Sequence, residues 1–196
     1  MAHRYLQWGD VAASPTRSRY LAALTERVPK DGRVLELGCG AGVPVTLALT
    51  TNYDVVGVDI SRVQLELARE QAPGASLLQA DIATLGFKDR SFDAALAFYT
   101  LTHVPRESHA QVLANIRRWL RPGGVLAITM GAGETPGSIE ADWLGALMFF
   151  SHYDAATNLR LIRAAGFEVL TAEVVAEMED DRPVEFLWVV ARVDSS

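Results

Sequence analysis

Cysteine and long apolar runs are both scarce in this sequence. The one cysteine, Cys39, excludes an internal disulfide framework and a zinc site made of several thiolates. No uninterrupted apolar run approaches the roughly 18 residues of a membrane-spanning helix. Residues 1–10 also lack the continuous apolar stretch of a secretory signal. We therefore expect a cytoplasmic protein with no membrane partner.

An excess of positive charge is missing too. The chain has 18 Lys and Arg against 24 Asp and Glu, a formal net charge of -6. A global positive field of the kind that attracts nucleic acid is therefore absent. Arg117, Arg118 and Arg121 form a local basic group, but they fall on a predicted helix, where a solvated face is the favoured interpretation. We expect no nucleic-acid partner.

What the sequence does contain is an alternation of strand-like and helix-like segments. Its 196 residues predict one domain, 1–196, with an α/β fold built on a mainly parallel sheet. The predicted strands are 33–37, 53–59, 75–81, 92–98, 125–130, 168–177 and 184–193. The predicted helices are 15–28 (capped by Ser14), 44–50, 61–71 (capped by Ser61), 106–121 (ended by Pro122 to Gly124) and 154–167.

Residues 131–153 interrupt this alternation with a long connection, and such connections are often functional. Several apolar residues of this insert recur at helical spacing, which predicts a helix. It would act as a lid over an apolar, aromatic substrate chamber, although packing on the sheet edge or a dimer contact remains equally open. The N-terminal cap region 1–30, with Tyr5, Trp8 and Tyr20, could close the other side.

A glycine-rich turn follows the first predicted strand, in the segment VLELGCGAG of residues 34–42. Its spacing is G-x-G-x-G, and Val43 stands where a dinucleotide fingerprint requires its third glycine. Glu36, just before the glycines, would repel a pyrophosphate and favour a ligand with positive charge. S-adenosylmethionine has a sulfonium, an ammonium and no phosphate. The turn therefore argues against a nucleotide-dependent oxidoreductase.

Two more carboxylates stand at strand ends. Asp59 ends the second predicted strand and can accept hydrogen bonds from both hydroxyls of a ribose. Asp81 ends the third and can accept from an adenine amine, with Ile82 beside it to pack on the ring. Ligands of open α/β sheets bind outside the carboxyl ends of the strands, so three acidic strand ends predict one pocket. The alternative for both aspartates is a helix-cap or turn role.

Taken together, these segments resemble the class I S-adenosylmethionine-dependent methyltransferases. The matching segments occur in the family's order and cover about residues 33–130; they are VLELGCGAG (34–42), VVGVDIS (55–61), LLQAD (77–81), FDAALAFYTLTHV (92–104) and LRPGGVLAIT (120–129). The resemblance implies a Rossmann-like, doubly wound seven-stranded sheet in the order 3-2-1-4-5-7-6, with the last strand antiparallel and helices on both faces.

The resemblance also implies a cofactor, S-adenosyl-L-methionine, with S-adenosyl-L-homocysteine as product, and a role for each matching residue. Glu36 and the turn residues Gly38, Cys39, Gly40 and Gly42 would lie at the methionine part of the cofactor. The ribose and adenine would be held by Asp59, Ile60, Gln64, Asp81 and Ile82, and Phe98 would face the sulfonium. Cys39 is interpreted as a small residue that fits the turn, and Gly42 could serve packing alone.

The acceptor of the methyl group is less well specified. His103 and Tyr99 are the candidate catalytic residues, with a packing role as the alternative for His103. The candidate substrate-binding residues are Tyr99, His103, Trp143, Phe149, His152 and Tyr153, while His109 is expected on an exposed helix face. No metal is expected.

The favoured interpretation is an enzyme that methylates oxygen or nitrogen of a small organic molecule by in-line displacement. A nucleic-acid or protein methyltransferase, or a non-catalytic cofactor-binding protein, remains the alternative. The protein is expected to be a monomer or a homodimer.

Overall fold

The computed structural model describes residues 14–179 and 182–195, and their strands form a seven-stranded sheet and a separate two-stranded hairpin. The strands are β1 (Arg33–Leu37), β2 (Asp54–Asp59), β3 (Ser76–Gln79), β4 (Phe92–Ala97), β5 (Leu120–Gly131), β6 (Thr135–Trp143), β7 (Ala146–His152), β8 (Phe167–Glu179) and β9 (Arg182–Val193). The α-helices are α1 (Pro15–Thr25), α2 (Val45–Thr50), α3 (Arg62–Gln71), α4 (His109–Trp119) and α5 (Ala155–Ala164). Short 3-10 helices span Leu101–His103 and Arg106–Ser108.

The large sheet has the order β3-β2-β1-β4-β5-β9-β8. Strands β1 to β5 pair in parallel, whereas β9 is antiparallel to both of its neighbours. Because β6 and β7 form the separate hairpin, β8 and β9 are the sixth and seventh predicted strands. The predicted order and the predicted antiparallel strand are therefore confirmed.

Helices cover both faces of the sheet because neighbouring strand residues point to opposite sides. Val34 packs in the cluster that includes Leu24 of α1 and Leu49 of α2. Leu35, one residue further, packs in the cluster that includes Ile116 of α4 and Ile162 of α5. The parallel strands are thus buried on both faces, as their continuous apolar runs predict.

The predicted N-caps of two helices are confirmed. The Ser14 hydroxyl accepts from the Arg17 backbone N–H at 3.2 Å, and the Ser61 hydroxyl accepts from that of Gln64 at 3.4 Å. None of the helices in the described part of the chain combines the length and the hydrophobicity that a bilayer-crossing segment requires.

The predicted helix 106–121 is too long at both ends. It begins as a 3-10 turn, and α4 ends at Trp119 because Leu120 already pairs with Phe92 of β4. Strand β5 therefore starts earlier than predicted, and Pro122 and the two glycines after it lie within β5 rather than ending the helix.

The helix predicted within the insert 131–153 is wrong, because residues 135–152 form the antiparallel hairpin β6–β7. Trp143 pairs with Ala146, so Leu144 and Gly145 alone make the turn, with φ of 52° and 85°. Two-residue hairpin turns with positive φ at both positions match the twist of the flanking strands. The apolar residues match helical spacing only by coincidence, because periodicity alone cannot distinguish a helix from a strand in a short run.

Candidate functional site

The glycine turn joins β1 to α2 and depends on backbone conformations that favour glycine. Gly38, Gly40 and Gly42 have φ of 74°, 53° and 83°. A Cβ on Gly38 would collide with the side chain of Thr100, and one on Gly42 would lie 3.1 Å from Ala68 of α3. Close packing against Ala68 therefore supports the packing interpretation of Gly42. The contact with Thr100 requires glycine at position 38 as well.

Cys39 fits the turn as a small buried side chain. Its sulfur lies against the bare Cα of Gly57, where an added Cβ would be 3.0 Å away. Burial raises the pKa of the thiol, with the nearby carboxyls of Glu36 and Asp59 adding to the effect. The thiol is therefore protonated near neutral pH and is not an activated nucleophile.

Asp59, at the end of β2, ties the glycine turn to the start of α3. Its Oδ2 accepts from the Gly40 N–H at 2.9 Å, and its Oδ1 accepts from the Ser61 N–H at 2.8 Å. Burial raises the pKa of Asp59 and these two backbone hydrogen bonds oppose the rise. Each carboxylate oxygen has further lone-pair capacity, so the group can hold the turn and also accept from a ligand.

Glu36 is buried at the carboxyl end of β1. The Thr46 hydroxyl of α2 donates to its Oε2 at 2.6 Å. Burial raises its pKa to about 7; the Thr46 hydrogen bond opposes this, Asp59 adds to it, and Arg17 opposes it. A carboxyl in this state gains most from a cationic partner, since such a partner would stabilise its charged form.

Sequence analysis missed Arg17, a buried arginine of α1 whose guanidinium lies over the Tyr99 ring, 5.1 Å from its centre. A charged residue in an opening helix is ordinarily solvated. The signal that could have found it is its spacing, because Arg17, Tyr20 and Leu24 share the buried stripe of the helix.

The predicted adenine side has a mixed outcome. Asp81 is exposed, and its Oδ1 accepts from the Ala83 N–H at 2.8 Å, which is the turn role foreseen as its alternative. Ile82 is buried in the core cluster, whereas Ile60 is 68% exposed. The Oε1 atom of Gln64 is buried and has no hydrogen-bond partner within the described ranges. The buried Gln64 Oε1 can accept a hydrogen bond from a ligand, and the exposed Ile60 side chain can pack against one.

Tyr99 follows β4 in a left-handed backbone conformation, with φ of 54°. Its phenol donates to Oε2 of Glu177 on β8 at 2.5 Å, and the Ser14 hydroxyl donates to Oε1 of the same carboxylate at 2.7 Å. Glu177, which sequence analysis also missed, thus links α1, β8 and the end of β4. Phe98 is half-buried and packs against Trp188, with ring centres 5.1 Å apart.

His103 lies in the 3-10 turn after β4, beside the hairpin. Its Nδ1 is 3.0 Å from the carbonyl oxygen of Phe149. Its ring centre is 4.9 Å from that of Phe150 and 5.8 Å from that of Trp143. Burial lowers the pKa of the imidazole, while the Phe149 carbonyl and the Asp59 carboxylate oppose this. The net shift favours the neutral form of the ring.

A cavity of about 740 Å³ opens between the hairpin and the carboxyl-end side of the sheet. We call this cavity the acceptor chamber. Its aromatic lining residues are Tyr99, Trp143, Phe150 and Phe186, and its ionisable ones are His103, His152, Glu140, Asp142, Glu185 and Arg182. The expectation of an apolar, aromatic chamber is therefore met only in part, because Glu140 and Asp142 of β6 also line it.

Four of the predicted substrate residues of the chain, namely Tyr99, His103, Trp143 and His152, line the chamber. Phe149 and Tyr153 do not. In a strand, alternate side chains point to opposite faces, so Phe149 faces away from Phe150 and contributes its carbonyl instead. Tyr153 packs under the Arg106 guanidinium, 4.8 Å from its ring centre.

His109 was expected to be solvated, and that expectation is wrong. It is fully buried at the start of α4, with Nε2 lying 2.8 Å from the Leu101 carbonyl oxygen and 3.0 Å from that of Val104. It holds the turn that contains His103. Two predicted residues of the N-terminal region, Tyr5 and Trp8, lie outside the described residues, while Tyr20 is a buried core anchor.

Comparisons with known proteins show the family to which the chain belongs. A sequence model of the family described as "Methyltransferase domain" matches residues 35–128. The 27-O-demethylrifamycin SV methyltransferase of Amycolatopsis mediterranei is 31% identical over 193 residues, which cover 87% of this chain and 68% of that enzyme. The chain belongs to the S-adenosylmethionine-dependent methyltransferase family.

A second relative and a solved structure extend the comparison. Methyltransferase GfsG of Streptomyces halstedii is 40% identical over 137 residues, covering 63% of this chain and 49% of that protein. The chain thus spans about half to two thirds of the length of these curated relatives. A methyltransferase structure from Methanosarcina mazei has a TM-score of 0.77 at 19% identity, covering 89% of this chain and 98% of its own, which shows the shared fold.

Proposed function

We propose that this methyltransferase transfers a methyl group to oxygen or nitrogen of a small organic acceptor bound in the acceptor chamber. The observation that carries the proposal is the segment after β4. Its Thr100 packs on Gly38 of the glycine turn, while Tyr99, Thr102 and His103 line the chamber. One short segment therefore touches both the turn expected to hold the cofactor and the cavity expected to hold the acceptor.

The residues present fit S-adenosylmethionine, which supplies an electrophilic methyl group on a sulfonium. Glu36 offers a buried carboxyl toward the cationic methionine part, and Asp59 offers oxygens toward the ribose. Ile60 and the unsatisfied Oε1 of Gln64 are the candidates on the adenine side, and Asp81 keeps one oxygen that is not used in its turn.

The remaining task of the protein is to align the two reactants and exclude water. The hairpin β6–β7 forms one wall of the chamber through Ser138, Glu140 and Phe150. Its base is tied down, since the Ser151 hydroxyl donates to the Pro136 carbonyl and accepts from the Arg106 N–H, both at 3.1 Å. We infer that the hairpin serves as the lid over the acceptor.

Calorimetric titration with S-adenosylmethionine, S-adenosylhomocysteine and, as control, NAD tests the cofactor. Micromolar binding of the first two alone is expected, and tight NAD binding would contradict the proposal. Asp59→Ala should weaken cofactor binding by roughly 1.5–3 kcal/mol, the usual value of hydrogen bonds to a charged group. An unchanged dissociation constant would remove Asp59 from the site.

A matched control for that variant is Asp89→Ala. Asp89 is exposed and its carboxylate is paired with Arg118 at 3.2 Å. It precedes the amino end of β4, whereas the site lies at the carboxyl ends of the strands. Its replacement should leave cofactor binding unchanged. Cofactor binding without methyl transfer to any acceptor of a broad small-molecule panel would favour the non-catalytic alternative.

A further inference from the structure

Backbone carbonyl groups set the protonation pattern of two histidines in the acceptor chamber. His103 Nδ1 lies 3.0 Å from the Phe149 carbonyl oxygen, and His152 Nδ1 lies 2.8 Å from that of Gly133. A carbonyl oxygen can only accept a hydrogen bond, so each Nδ1 must carry a proton. When the ring is neutral, Nε2 is then the unprotonated nitrogen and offers a lone pair.

His103 is the better placed of the two to act on an acceptor. It follows β4 directly, in the same segment as Thr100, which packs on Gly38 of the glycine turn. Burial lowers the pKa of its imidazole, which favours the neutral ring. The rings of Phe150 and Trp143 pack against it at interplanar angles of 56° and 57°. Together with the Phe149 carbonyl they hold the imidazole in one tautomer and one orientation.

The charge of the chamber lining is a second, independent observation. Among the described lining residues, Glu140 and Asp142 of β6 and Glu185 of β9 are acidic, and Arg182 is basic. The formal charge of these four groups is therefore net negative. This lining would disfavour an acceptor that carries a carboxylate, whereas it would not repel a neutral or cationic acceptor.

We propose that the group methylated is a hydroxyl or an N–H rather than a carboxylate, and that Nε2 of His103 accepts its proton. This inference rests on the proposed function and narrows its acceptor class. For a hydroxyl, the acceptor oxygen forms a bond to the methyl carbon while the carbon–sulfur bond breaks. The electron pair of that bond stays on sulfur, the hydroxyl proton passes to His103, and the resulting imidazolium later releases it to water.

Nuclear magnetic resonance tests the base without any acceptor. Long-range ¹H–¹⁵N correlations of the histidine side chains distinguish protonated from unprotonated ring nitrogens, and His103→Asn assigns the His103 signals. At pH 7.5 we expect a neutral His103 with Nδ1 protonated. His109 is the internal reference, because its Nε2 donates to the Leu101 and Val104 carbonyls and it should show the opposite tautomer. A protonated Nε2 on His103, in either the neutral or the charged ring, overturns the proposal.

Kinetics test the role of the base. Asparagine can still donate to the Phe149 carbonyl but has no group in place of Nε2. His103→Asn should therefore lower kcat about 100-fold or more while the dissociation constant of S-adenosylhomocysteine stays within about twofold. Transfer at the wild-type rate would overturn the proposal. If the wild-type protein does not bind the cofactor, the proposed function itself is refuted.

The acceptor class is tested with 2-naphthol and 2-naphthoate, which share one ring system, and with labelled S-adenosylmethionine. We expect transfer to the hydroxyl compound at least tenfold faster, giving an ether whose label survives mild alkali. Preferential formation of the alkali-labile methyl ester overturns the proposal. If neither compound is methylated, the NMR measurement still decides whether Nε2 of His103 is unprotonated and can accept a proton.

Discussion

Replacing Glu36 with glutamine should make the protein without cofactor more stable at alkaline pH and leave it almost unchanged at acidic pH. Glutamine retains the shape and the oxygen that accepts from the Thr46 hydroxyl, so the substitution removes little except the charge. The folded protein holds the pKa of Glu36 at about 7 against an ordinary value of 4.5, mainly because of burial, with Asp59 adding to it and Arg17 opposing it. The folded state therefore favours the protonated carboxyl.

The magnitude follows from this difference in pKa. The stabilisation of the neutral form is complete below about pH 4.5 and is lost as the pH rises through about 7. At about 1.4 kcal/mol for each pH unit, the full loss is roughly 3 kcal/mol. Because Glu36 is only 6% exposed, solvent screening reduces this value little.

Urea denaturation from pH 5 to 8.5 measures the effect. The free energy of unfolding of Glu36→Gln should exceed that of the wild type by an amount that grows with pH, reaching about 3 kcal/mol near pH 8. Glu70→Gln, on the exposed face of α3, is the matched control and should show no such growth. Parallel curves for the wild type and Glu36→Gln would refute the reasoning. Saturating S-adenosylhomocysteine should reduce the advantage of glutamine, since its ammonium group would stabilise the charged carboxylate.

Three further predictions concern the hairpin and the turn that hold the chamber. Gly131→Ala should destabilise the protein by about 1–3 kcal/mol, because the new methyl group collides with the His152 ring. Urea denaturation should show a smaller loss of stability when the same substitution is made in a His152→Ala background. An equal loss in the wild-type and His152→Ala backgrounds would contradict this. Leu144→Asn should stabilise the protein by up to about 1 kcal/mol, because asparagine tolerates the positive φ that the turn requires next to Gly145. A thermal unfolding midpoint below that of the wild type would contradict the assigned turn geometry. His109→Leu should cost about 1–3 kcal/mol, because it removes the imidazole donor from the Val104 carbonyl and leaves the Leu101 carbonyl with only the Val104 N–H. An unchanged free energy of unfolding would contradict this.

The order of elements and the residues around the glycine turn could be predicted from sequence because both depend on local pattern. Continuous apolar runs identify buried parallel strands, and parallel strands place their carboxyl ends at one edge. Glu36 and Asp59 therefore had to lie near the glycine turn, as the structure places them. The capping serines were equally accessible, since a cap bonds within a few residues of itself.

The acceptor side was decided by tertiary structure, because its contacts join segments far apart in the chain. Glu177 reaches Tyr99 across 78 residues, and the Phe149 carbonyl reaches His103 across 46. Periodicity could not show that 135–152 is a hairpin, since short apolar runs suit either period. The tautomer of His103 exists only because the hairpin places a carbonyl against one ring nitrogen. Local spacing thus determined which residues lie around the glycine turn, while packing between distant segments decided which residues line the acceptor chamber.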